Sequence, residues 1–249
     1  MSGQTAERYL EDGEVTDDMR TIGLIGGMSW ESSVEYYRII NRAVRERLGG
    51  LHSARCLMVS VDFAEVEPLQ REGRWDELAQ QMVAAARAVE RGGADLLLIC
   101  ANTMHRVAGE VEAGIGIPLI HIADATAARL NAADIGRIGL LGTRYTMEAD
   151  FYKGRLSQRH GLAVSVPDAA EREAVHRIIY DELCVGVIRS ESRARLAQIA
   201  ERLVQGGAEG VVLACTELGL ALTEKDTQVP LFDTTRIHAL AAVDAALVG

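Results

Sequence analysis

The chain carries one stretch twice, and a duplication of this kind leaves few folds open. Gly92-Gly93-Ala94-Asp95 runs into Leu96-Leu97-Leu98-Ile99 and ends on the polar tip Asn102-Thr103-Met104-His105. Gly206-Gly207-Ala208-Glu209 runs in the same register into Gly210-Val211-Val212-Leu213 and ends on Cys215-Thr216-Glu217. Each copy reads as a helix end, a glycine turn, a short apolar strand and a polar tip. Aligned without a gap, Cys215 falls opposite Ala101. Cys100 lies one residue earlier, and the two-residue period of a strand turns it to the other face. The duplication therefore has one tip with a cysteine and one without.

The flanking sequence repeats as well. Thr21-Ile22-Gly23-Leu24-Ile25 is a short buried strand ending in Gly26-Gly27, after which Ser29 can cap a helix through Tyr36, Ile39, Ile40 and Val44. Arg137-Ile138-Gly139-Leu140-Leu141-Gly142-Thr143 echoes it, and Val229-Pro230-Leu231-Phe232 answers Ile117-Pro118-Leu119-Ile120. A strand is expected over residues 55–63, and a helix over Trp75–Arg91 with Leu78, Met82, Ala85 and Val89 in one stripe. Residues 117–122 read as a strand, 162–166 as another, and 171–184 and 192–205 as helices separated by a break at Gly186. Solid apolar strands alternating with helices give an α/β fold: two similar halves, each a parallel sheet covered on both faces. In such folds ligands bind at the carboxyl ends of the strands, here between the halves.

Charge and composition narrow the function. A net charge of −10 argues against nucleic acid or an anionic membrane as partner. Residues 1–20 concentrate acidic side chains and read as a mobile lead-in. No apolar run approaches the roughly 20 residues that span a bilayer, and the N-terminus lacks a basic-then-apolar signal pattern. Cys56, Cys100, Cys184 and Cys215 are then expected to be reduced thiols in a cytoplasmic protein, and no Cys/His spacing marks a metal site.

The tips carry the chemistry. Asn102-Thr103 and Thr216-Glu217 sit where helix N–H groups can meet an anion, or where they simply cap helices. Cys215 is either a small buried apolar residue or, beside a helix start that stabilises its thiolate, a base or nucleophile. Cys56, Cys100 and Cys184 lack that setting and read as packing residues. The glycines of Gly23-Leu24-Ile25-Gly26-Gly27 match neither nucleotide-binding spacing, and a tight turn approached by a small substrate explains them as well. His105 and His121 are candidate acid/base groups or structural histidines.

Three motifs in this order, Gly26-Gly27-Met28-Ser29, Asn102-Thr103-Met104-His105 and Cys215-Thr216-Glu217, resemble the cofactor-independent aspartate/glutamate racemases. The resemblance runs from about Thr21 to Val248. It implies a first domain of residues 21–117 plus 228–249, whose closing strand and helix cross back onto it. The second domain is 118–227, and a cleft between the two binds an amino acid. It also implies a homodimer and catalysis without pyridoxal phosphate or metal. In that family two cysteines face the substrate's α-carbon, one removing the α-proton and the other delivering one to the opposite side. Carried over residue by residue, Cys215 is the second cysteine and Glu217 the carboxylate that tunes it. Asn102, Thr103, Thr143 and Thr216 hold the α-carboxylate and α-amino groups, and Met28 and Ser29 line the floor.

This chain departs from the pattern twice. Ala101 occupies the place of the first cysteine, and the region of Cys184 has no lysine such as aspartate-specific relatives carry. Three activities follow as expectations: an amino acid racemase with an altered second acid/base, a single-cysteine cofactor-free decarboxylase, or an inactive amino-acid-binding relative.

Overall fold

The computed structural model describes residues 19–247, so most of the acidic lead-in lies outside the described residues. Two all-parallel sheets form from seven strands. The first has the order β2-β1-β3, with β1 Ile22–Gly26, β2 Cys56–Ser60 and β3 Leu96–Ile99. The second has the order β5-β4-β6-β7, with β4 Arg137–Gly142, β5 Ala163–Ser165, β6 Gly210–Ala214 and β7 Leu231–Asp233. In each, the strand that opens its half pairs directly with the strand that carries the tip.

The tip strands and the strands β1 and β4 beside them are buried on both faces, while the outer strands β2 and β5 are partly exposed. From β3, Leu97, Ile99 and Ala101 pack with Leu78, Met82 and Val89, while Leu96, Leu98 and Cys100 face Tyr36, Ile40 and Val44. The second half alternates in the same way: Val211, Leu213 and Cys215 point to one cluster, Val212 and Ala214 to the other. The expected period of two therefore holds, and it places Ala101 and Cys215 at matching positions of their tips. Each fully buried leucine or isoleucine contributes about 2 kcal/mol, so these layers supply much of the stability.

The duplicated glycines have a physical cause. Gly93 and Gly207 adopt φ +95° and +102°, in the left-handed region. Ala94 N–H donates to the Val89 carbonyl and Gly93 N–H to that of Glu90; Ala208 and Gly207 repeat this on Leu203 and Val204. The turn thus satisfies helix-end carbonyls and aims the chain into the strand. The acidic residue that comes next ties down the neighbouring strand: Asp95 Oδ2 accepts from Thr21 N–H at 2.6 Å, and Glu209 Oε2 from Arg137 N–H at 2.9 Å. The glycines of the first strand serve the fold too. A Cβ on Gly27 would lie 2.0 Å from the Val61 carbonyl oxygen, so the chain itself makes the close approach expected of a substrate.

Three elements differ from expectation. The strand over 55–63 ends at Ser60, because Asp62 accepts from Ala64 N–H and starts a helix, Phe63–Glu72, which the sequence pattern did not reveal. Residues 117–122 form only one bridge, Leu97 to Leu119; Pro118 has no N–H to pair, and His121 caps a helix over Ile122–Asn131. The closing segment divides: β7 pairs with β6 in the second sheet, while the helix Thr234–Leu247 packs on the helix Trp30–Leu48 of the first half.

Gly207→Ala should cost about 1–2 kcal/mol, because alanine resists that φ. Gly109→Ala, in the helix Ala108–Gly114 with open space around a Cβ, should instead gain about 0.5–1 kcal/mol. Urea midpoints moving the same way in both variants would contradict this.

Candidate active site

The tips of β3 and β6 meet at one narrow pocket with a cavity volume of about 30 Å³. Met28, Ala101, Asn102, Thr103, Thr143, Cys215, Thr216 and Glu217 line it. Ser29 does not, but its side chain reaches the same cluster. The structure therefore brings Met28, Asn102, Thr103, Thr143, Cys215, Thr216 and Glu217 together around the position of Ala101, with Ser29 beside them.

Glu217 is the hub. It is only 2% exposed, and up to five donors converge on its carboxylate. Oε1 accepts from Ser29 N–H at 3.2 Å, Ser29 Oγ at 2.8 Å and Ser32 Oγ at 2.6 Å. Oε2 accepts from Thr216 Oγ1 at 2.9 Å and from the Cys215 thiol at 3.0 Å. Ser32 Oγ also lies 2.8 Å from Thr216 Oγ1, so its single proton can serve either neighbour. Ser29 occupies the N-cap position of the helix Trp30–Leu48, yet its side chain makes no cap bond and serves Glu217 instead. Ser32 was not anticipated; its signal is the three-residue spacing from Ser29, which puts both hydroxyls on one helix face.

The thiol differs from the expected thiolate. Burial pushes the Cys215 pKa well above the ordinary thiol value, and the negative charge of Glu217 pushes it further the same way. The helix start expected to stabilise a thiolate is slight: Leu218–Ala221, immediately after Glu217, has only four residues. The resting group is a neutral thiol donating to a carboxylate.

Around it the donors and acceptors are specific. Asn102 Nδ2 donates to Thr234 Oγ1 at 3.0 Å, and that hydroxyl donates its own proton to the Leu213 carbonyl. This fixes the amide's orientation and leaves Asn102 Oδ1 buried without a partner. Thr103 Oγ1 lies 2.9 Å from Thr143 Oγ1, joining the two halves, and Thr143 caps the short helix Arg144–Glu148.

Cys100 is fully buried on the far face of β3, as its position in the strand requires. Cys184, read as a packing residue, instead lines the pocket; burial raises its pKa, so it too is a neutral thiol. Neither candidate histidine lines the pocket. His105 Nδ1 donates to the Ala101 carbonyl and Nε2 accepts from Ile122 N–H, so it braces the tip from behind. Burial, then His121 and His238, holds its pKa well below the usual value. His121 caps a helix through Nδ1, and burial lowers it to about 3.

Five further residues, Phe63, Gln70, Ile179, Tyr180 and Ala214, complete the wall. Tyr180 stacks on Phe63 with ring centroids 6.2 Å apart and donates to Gln70 Oε1 at 3.0 Å. Among the described residues, no cluster of three His, Cys, Asp or Glu is arranged to hold a metal ion. No helix there is long and apolar enough to cross a membrane.

Known proteins share this fold and family. Residues 25–242 match the family described as Asp/Glu/hydantoin racemase. A candidate Asp/Glu racemase from Yersinia pestis is 52% identical, with a TM-score of 0.85 over 92% of this chain and 100% of that one. An aspartate racemase homologue from Pyrococcus horikoshii is 34% identical, with a TM-score of 0.79 over 92% of this chain and 99% of the other. The broad specificity amino-acid racemase RacX of Bacillus subtilis is 22% identical over 69% of this chain and 74% of its own.

Replacing Glu217 by Gln removes the neighbouring negative charge, so the Cys215 pKa should fall. Alkylation of the Cys215 peptide, followed by mass spectrometry across pH, should then have its midpoint at lower pH than in the wild type. The variant should also lose about 1–3 kcal/mol, because the new amide N–H₂ faces groups that were donors to the carboxylate. An unmoved midpoint would show that the carboxylate does not govern the thiol.

Proposed function

The chain belongs to the Asp/Glu/hydantoin racemase family, and we propose that it moves the α-proton of a free amino acid, with Cys215 as the proton-transferring group. The observation that carries this reading is the Cys215 thiol, hydrogen-bonded at 3.0 Å to a buried carboxylate in the pocket that Ala101 also lines. The α-ammonium group finds an acceptor in the unpartnered Oδ1 of Asn102 and a counter-charge in Glu217. The α-carboxylate finds donors in the Thr103 and Thr143 hydroxyls, which otherwise bond to each other.

Arrival of the ammonium offsets the charge that keeps Cys215 protonated. The thiol proton passes to Glu217 Oε2, and the thiolate then takes the α-proton. The electron pair left on the α-carbon is delocalised into the α-carboxylate, where hydroxyl donors stabilise the developing charge. The methyl group of Ala101 offers no proton to the other face. The proton that completes inversion therefore comes from water or from the Thr103 hydroxyl, so return of a proton on the Cys215 face outpaces inversion. The thiol needs no cofactor for this transfer.

In heavy water, the protein should exchange the α-proton of its substrate, read by proton NMR. Cys215→Ser should abolish that exchange with little change in melting temperature, because the serine hydroxyl is a far weaker acid than a thiol. Retention of more than a few per cent of the rate would remove Cys215 from the mechanism.

Ala101→Cys tests the second face. A thiol there should raise racemisation about 100-fold or more in both directions, within the range of a placed general acid–base group. A folded variant that binds amino acids but gains nothing would mean that another group already serves that face. Carbon dioxide release from an aryl or alkyl malonate, without α-proton exchange, would favour the single-cysteine decarboxylase instead.

A further inference from the structure

Beyond the groups that hold the α-carbon, the pocket extends to a wall on which every polar side chain is neutral. Gln70 and Tyr180 supply its hydrogen-bonding atoms, and Phe63 and Ile179 its apolar surface. Arginine, lysine and histidine are all absent from the lining; Glu217 is its one charged group. Of the basic residues on neighbouring elements, Arg106 lies over the Trp75 ring at 4.2 Å, Arg71 pairs with Glu67 at 2.9 Å, and Arg144 and Arg177 pair with Glu173 at 3.8 and 3.6 Å. His176 packs on the Tyr180 ring with centroids 4.7 Å apart, and burial holds its pKa below the ordinary value.

The Gln70 amide is held in one orientation. Its Oε1 accepts from the Tyr180 hydroxyl at 3.0 Å, and its Nε2 donates to the Met104 sulfur at 3.1 Å. A side-chain amide has two N–H groups and two carbonyl lone pairs. One of each is used here, so Gln70, only 3% exposed, has one donor and one acceptor site to spare. The Tyr180 oxygen adds a further acceptor. The wall can therefore both give and receive a hydrogen bond, and it has nothing to neutralise a charge.

We propose that the substrate has an uncharged, hydrogen-bonding side chain, an amide or a hydroxyl, and that Gln70 and Tyr180 are the residues that select it. This rests on the amino-acid reading of the same pocket. Aspartate or glutamate would bring a second carboxylate into a site whose only fixed charge is already negative, and a buried charge without a partner is costly. A side-chain amide of the same shape meets the spare donor and acceptor instead. Discrimination of this kind works by leaving the wrong group unpaired, which separates ligands more sharply than size does.

The test compares isosteric pairs on the wild-type protein: asparagine against aspartate and glutamine against glutamate, with serine and alanine added, each in L and D form. Calorimetry reads binding, and NMR in heavy water reads α-proton exchange. The amide of each pair should bind at least tenfold more tightly than its acid. Acids that bind as well as the amides, or better, would overturn the proposal.

Selective binding of the amides with no exchange on any amino acid would uphold this wall and remove the racemase reading. Binding of none would overturn both. Gln70→Lys places a cation at the wall and should raise the aspartate-to-asparagine binding ratio at least tenfold. An unchanged ratio in the folded variant would show that Gln70 does not set the selection; should the variant fail to fold, the wild-type pairs decide alone.

Discussion

A carboxylate buried to 2% exposure must be matched by donors on both oxygens, and at Glu217 those donors come from both halves of the chain. Ser29 and Ser32 approach from the first half, Thr216 and Cys215 from the second. The helix Trp30–Leu48 has to start where it does for Ser29 and Ser32 to reach Glu217. β6 has to end where it does for Cys215 and Glu217 to lie side by side. The charge also sets the resting state of the thiol. One buried group thereby joins the packing of the two halves to the acidity of the side chain that does the chemistry, and changing it disturbs both.

The rest of the seam is built in the same way, from single groups that serve two neighbours. Thr103 and Thr143 bridge the halves through their hydroxyls, and Asn102 is oriented by Thr234, the first residue of the closing helix. His105 holds the Ala101 carbonyl from the protein side, so the cysteine-free tip has a brace of its own. The asymmetry between Ala101 and Cys215 is thus confined to one side chain on equivalent frames.

Much of this was legible in the sequence because duplication leaves a periodic record. The glycine turns, the solid apolar strands and the alternation separating Cys100 from Ala101 are local patterns, and the structure keeps them. So is the cluster of tip residues, since matching positions in two parallel sheets fall at the same end. The far wall left no such trace. Phe63 and Gln70 ride on a helix started by a single aspartate after an apolar strand, and Tyr180 comes from a helix more than 100 residues away; its bond to Gln70 is a tertiary fact. The thiol's acidity was misjudged for a related reason. Helix starts are visible in sequence, whereas burial and the closeness of one carboxylate to one sulfur emerge only from packing.

The closing segment makes each half depend on the other. β7 lies in the second sheet, yet the helix after it supplies Ala239, Ala242, Val243 and Ala246 to the apolar cluster beneath Leu24, Leu96 and Leu98 of the first. During synthesis the strands of the first sheet emerge well before this part of their cover. A first half that could otherwise fold as soon as it appears must wait, with an apolar face partly open, until the helix Thr234–Leu247 has been made. The order of residues along the chain thus couples completion of one sheet's core to completion of the other.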